Sequence, residues 1–64
     1  MDNNVEKATI ERVIESHKLV TIFMINGFQM TGLIVDYDDV SVIVNVAGKR
    51  RLLYKQNIST IAFE

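Results

Sequence analysis

The stretch LVTIFMINGFQMTGLIVD, residues 19–36, decides the fold of this chain. Two apolar runs, residues 19–25 and 28–36, meet at Asn26-Gly27. That dipeptide is the strongest short hairpin signal, because both central positions of a type I′ turn need a positive φ. Gly32 stands inside the returning run, where glycine adds nothing to a strand, and so predicts a bend or bulge. Val20, Ile22 and Met24 alternate with Thr21, Phe23 and Ile25. Both faces are therefore apolar toward the hairpin, and the usual inside/outside alternation of a half-buried strand is missing.

Reading downstream, YDD (37–39) is a turn, residues 40–46 a third strand and AGK (47–49) another tight connection. Residues 50–55 form a fourth strand, Gln56-Asn57 a corner, and residues 58–63 a fifth strand. Upstream, Ile10, Val13, Ile14 and His17 follow the i, i+3, i+4, i+7 spacing of one helical stripe, which predicts a helix over 4–17. Asn3 is its expected N-cap, with Glu6 able to reach back to it. His17 reads as an amphipathic residue near the helix C-terminus, where the dipole favours positive charge.

One helix and five short strands with short turns predict a mostly β fold: a single, strongly bent antiparallel sheet curled into a small open barrel under the helix. An open barrel keeps edges. The fourth and fifth strands come last, contain no Pro, and the fifth carries no charge before Glu64. Edges left so plain are expected to pair with another copy of the chain. Length points the same way. With 64 residues the chain is one domain (1–64), near the lower limit for folding alone. Small scaffolds draw on disulfides, metals or partner subunits. Cys is absent and there is a single His, which excludes disulfides and the common zinc sites and leaves oligomerisation.

No stretch approaches the ~20 apolar residues of a membrane span, and no leader pattern is present, so a cytoplasmic location is expected. A net charge of −1 gives no global attraction to phosphate. The distribution differs from the sum: Lys49, Arg50, Arg51 and Lys55 place four of the seven cations within seven residues. Such a cluster is either a solvated hairpin tip or part of a binding surface.

Nothing supports catalysis. The chain lacks a Ser-His-Asp set, paired carboxylates in a cleft and a Gly-rich phosphate loop, so no enzyme activity, cofactor or small-molecule substrate is expected. Asp36, Asp38 and Asp39 are read as caps of their own turn rather than as metal ligands. Phe23 and Phe28 flank the Asn-Gly turn. They either pack against the helix or a neighbouring subunit, or offer a stacking platform for unpaired bases, with Gln29 and Thr31 supplying hydrogen bonds.

INGFQMTG (25–32), YDD (37–39) and YKQNIST (54–60), in this order and spacing, resemble the bacterial Sm-like RNA chaperones of the Hfq family. The resemblance covers nearly the whole chain, and the loop AGKRRLLYK is similar in length to the family's Gram-positive branch. It is most specific at Tyr54, Lys55, Ile58, Ser59 and Thr60. The resemblance implies an Sm fold and a ring, typically of six subunits, closed by pairing the fourth strand of one subunit to the fifth of the next. It also implies binding of small regulatory RNA and messenger RNA, with annealing promoted without ATP.

In that family one ring face takes adenine-rich RNA and the other uridine-rich RNA near the pore. Phe23, Met24, Gly27, Phe28, Gln29, Thr31 and Thr60 fall where the adenine face is built, with Phe23 and Phe28 placed to sandwich a purine. On the uridine face Tyr54 and Lys55 match, and the turn residue Asp39 is counted with that face. Gln56 replaces the family's His, Val40 its stacking aromatic and Glu6 its helix Gln, so this face is expected to be weakened. The rim arginines are replaced by Ile14, Glu15 and His17, and the family's tail is absent. Two other readings follow from the residues: a family member serving mainly as an assembly or protein-interaction module, and a monomeric SH3-like peptide binder.

Overall fold

The computed structural model describes residues 3–63, and the side chains of residues 6–63. Helix α1 spans Asn3–Ser16 and is followed by β1 (Val20–Met24), β2 (Gln29–Tyr37), β3 (Ser41–Val46), β4 (Lys49–Tyr54), a single 3₁₀ turn (Lys55–Asn57) and β5 (Ile58–Ala62). The expected cap at Asn3 lies outside the described side chains.

The helix ends one residue earlier than its stripe predicts. His17 takes a left-handed φ of 56° and its backbone N–H reaches the Ile14 carbonyl at 3.3 Å. Left-handed geometry stops a helix, and His tolerates it better than most residues. His17 is therefore exposed beyond the last turn and leaves the apolar stripe to Ile10 and Val13, which are buried, and Ile14, which is partly buried.

Strand order is β4-β3-β2-β1-β5, every pair antiparallel. The fourth and fifth strands are the sheet's two edges, as their place in the sequence predicts. The core is small: Val20, Ile22, Ile34, Val42 and Val44 from the sheet close on Ile10 and Val13 of the helix. Each such side chain, once fully buried, stabilises the fold by roughly 1.5–3 kcal/mol.

The bend is carried by β2. Its first part pairs with β1 up to Val20↔Gly32, and its second pairs with β3 from Leu33↔Asn45 onward. Gly32 is the changeover. A Cβ built there would meet the Asn45 carbonyl oxygen at 2.5 Å and the Val44 and Val46 methyls at 3.0 Å, so only a residue without a side chain lets the two half-sheets fold this closely. Gly32 thus makes the predicted bend. The irregularities of register lie elsewhere, between Ile34 and Asp36 and opposite Phe23/Met24, where Ser59 is the extra residue.

The two tight turns differ from expectation in an instructive way. At the first hairpin the Met24 N–H donates to the Phe28 carbonyl (2.7 Å) and the Gly27 N–H to the Met24 carbonyl (3.0 Å), leaving a three-residue loop. Gly27 has a φ of 92°, but Asn26 is not left-handed; its side chain instead accepts from the Phe28 N–H at 3.0 Å. This is the three-residue hairpin with one left-handed glycine, not the type I′ turn predicted from the dipeptide. The two-residue turn with both φ positive is at Ala47 (53°) and Gly48 (83°), closed by the pair Val46↔Lys49.

Candidate nucleic-acid interface

The pleat assembles one surface from three strands. Phe23 pairs with Gln29 on one side and with Thr60 on the other, so the three side chains form a row across β2, β1 and β5. The next row on the same face is Thr31, Thr21 and Ala62, and the Thr21 and Thr31 hydroxyls lie 3.3 Å apart. Between these rows Ile22 points the other way and is fully buried. Alternation therefore resolves the ambiguity of the first strand: Val20 and Ile22 belong to the core, Thr21 and Phe23 to the outer face.

Phe28 is 60% exposed and Phe23 37%. These values exclude a packing role for Phe28 against the chain's own helix. Phe28 lies one position along from the Phe23 row, opposite Met24, so within one chain the two rings do not face a common gap. Gln29 is exposed and its amide has no partner among the described residues, leaving donor and acceptor free. Met24 is partly buried against the core, and a Cβ placed on Gly27 would meet nothing within 4 Å.

The opposite end of β2 is built differently. The Asp38 carboxylate accepts from the Val40 N–H (2.9 Å), the Ser41 N–H (2.8 Å) and the Ser41 hydroxyl (2.9 Å), and Asp36 accepts from the Tyr37 N–H (2.8 Å). Asp38 is thus the expected turn cap; Asp36 makes its bond from within β2, and Asp39 makes none among the described residues. The bonds from Val40 and Ser41 hold the Asp38 carboxyl below the ordinary aspartate range, because protonation would forfeit them.

That turn presents Asp39 and Val40, and the Lys55 N–H donates to the Val40 carbonyl at 2.8 Å, bringing Tyr54, Lys55 and Gln56 to the same end. The Lys55 ammonium is 3.2 Å from the Glu6 carboxylate and 5.5 Å from the centre of the Tyr37 ring. The Tyr37 hydroxyl donates to Glu11 at 2.7 Å, and this bond, with some desolvation and the carboxylates of Glu11, Asp36 and Asp39, raises the phenol above its usual value of 10.0. Tyr54, Gln56 and Val40 are exposed, with no aromatic ring at position 40.

Sequence reading missed Tyr37 and Glu11 as parts of this cluster, because both act through contacts between helix and sheet. The YDD motif marked Tyr37 without giving it a partner. A groove of about 320 Å³ also opens between α1 and β5, with Phe63 and Lys55 among its lining residues. Among the described residues no group of three metal-ligating side chains comes together.

A helix-capped, five-stranded bent sheet with a changeover glycine and two outward-facing clusters defines an Sm-like RNA-binding protein. The sequence model for "Hfq protein" matches residues 6–64. The chain is 39% identical over 59 residues to the RNA-binding protein Hfq of Ruminiclostridium cellulolyticum, covering 92% of this chain and 74% of that one. It is 41% identical over 58 residues to that of Carboxydothermus hydrogenoformans, covering 91% and 68%. A crystal structure of the pleiotropic translational regulator Hfq superposes with a TM-score of 0.89 at 39% identity, covering 92% of this chain and 98% of that chain. The chain belongs to the Hfq family.

Proposed function

We propose that this chain is an Hfq-type RNA chaperone that binds single-stranded, A-rich RNA on the face formed by Phe23, Met24, Gly27, Phe28, Gln29, Thr31 and Thr60. In this reading it acts in the cytoplasm as a single domain, by binding rather than by catalysis, and supports pairing of small regulatory RNA with messenger RNA. Its subunits close a ring, six in the family's usual form, by pairing β4 of one to β5 of the next; the bare outer strands support this. A purine held by both rings then lies between Phe23 of one subunit and Phe28 of another.

One contrast carries the proposal. The Phe23–Gln29–Thr60 row is exposed and its one side-chain hydrogen bond is between Thr60 and the adjacent Ser59 (3.3 Å), whereas at the other end Lys55 is engaged by Glu6 and Val40 supplies no ring. The U-rich site of Asp39, Val40, Tyr54, Lys55 and Gln56 is accordingly weakened. Fluorescence anisotropy with A-rich and U-rich oligonucleotides tests the reading. Tighter binding of the A-rich strand is expected; equal binding, or tighter U-rich binding, overturns it.

A second reading, an assembly module with weak RNA binding, is favoured by the bare edges and by exposed Leu52 and Phe63. An intact ring that binds no RNA at moderate salt would select it. Light scattering separates both from a monomeric peptide binder.

A further inference from the structure

The cations Lys49, Arg50 and Arg51 take no part in either cluster. They are the first three residues of β4 and all are exposed. They follow the Ala47-Gly48 turn, so they form the tip of the β3–β4 hairpin. Lys55, the fourth cation of the group, is beyond the other end of the strand, which runs roughly 16 Å from Lys49 to Tyr54. The charge cluster seen in the sequence is therefore two separate features.

Two observations set the tip apart. No described carboxylate pairs with any of the three, and whereas the equally unpaired Lys7, Arg12 and Lys18 belong to a stretch rich in acids, residues 40–63 contain four cations and no acid. The preceding residues hold the acids of α1 and the YDD turn, so the chain's small net charge hides a strong separation of sign. Position supplies the second observation. Arg50 pairs with Asn45, which pairs with Leu33, and Val46, the partner of Lys49, packs on Gly32. The tip thus stands about two strand spacings, roughly 10 Å, from the point where β2 leaves the Phe23–Gln29–Thr31 face.

We infer that Lys49, Arg50 and Arg51 form a phosphate-contact site, where single-stranded RNA leaving the base-reading face crosses the hairpin tip. The inference rests on the proposed function for its ligand. The β strand fixes the spacing of the three side chains, while their length lets the charges follow a flexible backbone. Phosphate contacts hold a strand without reading its sequence. They release bound counterions, so their contribution falls with salt, by about 0.7 in the slope of log affinity against log salt for each contact on a single strand.

The test measures that slope for an A-rich and a C-rich RNA, with wild type and the triple variant Lys49→Gln, Arg50→Gln, Arg51→Gln. Light scattering verifies assembly. The variant is expected to flatten the slope by about 2 for both RNAs, while wild type and variant keep the same preference for A-rich over C-rich RNA. An unchanged slope in an intact assembly overturns the inference and leaves the cations as devices that keep an edge strand from aggregating. Lys49→Gln alone, next to the turn, serves if the triple variant fails to assemble; it should flatten the slope by about 0.7. Salt-dependent binding that is indifferent to base, and lost in the variant, would refute the adenine reading and support the tip. No binding of either RNA by wild type overturns both.

Discussion

The two ends of β2 offer opposite answers to one problem, how to present polar groups on a small domain. At the β1–β2 end the outer face is left open, with the Phe23 ring and the Gln29 amide unclaimed and the threonine hydroxyls bonded only to one another or to Ser59. At the β2–β3 end three polar groups are already tied to the chain: Asp38 with its turn, Tyr37 with Glu11, Lys55 with Glu6. A binding surface needs groups whose hydrogen bonds are unspent in the free protein. The contrast therefore lies in partners as much as in residue types.

Four substitutions test this contrast. The largest effect is expected at Gly32, where the two ends are joined. Gly32→Ala drives a methyl against the backbone oxygen of Asn45, which cannot swing aside as a side chain would. Loss of about 3 kcal/mol or more in urea unfolding, with loss of both binding faces, is the expected result; a variant as stable as wild type would mean the half-sheets are not so tightly closed.

Phe28→Ala should leave stability nearly unchanged, since the ring is exposed, and lower A-rich affinity by about 1–3 kcal/mol for the base it stacks, read by anisotropy. Full A-rich affinity in this variant would place the site elsewhere. Glu6→Gln should act in the opposite direction at the other end. An exposed ion pair contributes at most about 1 kcal/mol, so stability should hardly move, while the freed ammonium raises U-rich affinity several-fold. No gain would show that the missing ring at Val40, not the ion pair, limits the site.

The smallest effect concerns acid. The Asp38 carboxyl is held below its ordinary range in the folded chain, so it adds stability at pH above the unfolded value of about 3.9, and that increment is lost as pH falls through the folded value. Asp38→Asn should remove this part of the acid sensitivity, as seen in urea titrations at neutral and acidic pH. An identical pH profile would refute it.

Much of this organisation could be read from the residues, because it depends on local pattern. The order of helix and strands, the two edges and the changeover glycine all follow from periodicity and turn residues, with boundaries misplaced by only a residue or so. Turn type was not legible. Asn26-Gly27 looks like the better type I′ pair, yet the Met24–Phe28 pairing leaves three residues in that loop, and loop length overrides dipeptide preference. Conversely, Ala47 is a poor candidate for a left-handed position, and only its place between paired Val46 and Lys49 puts it there. The outer face was legible as a set of residues but not as rows, since the partners of Phe23 depend on strand register. The ion pair at Lys55 joins positions 49 residues apart and needed the folded chain.

β2 belongs to both half-sheets, giving its first residues to β1 and its later ones to β3. Neither half can open without releasing its part of β2, the central strand of the whole sheet, so the two faces, however different in chemistry, should lose structure as one cooperative unit. Amide hydrogen exchange would register this directly: the slowest protons of the two halves should share a single opening free energy, with those of β2 slowest of all.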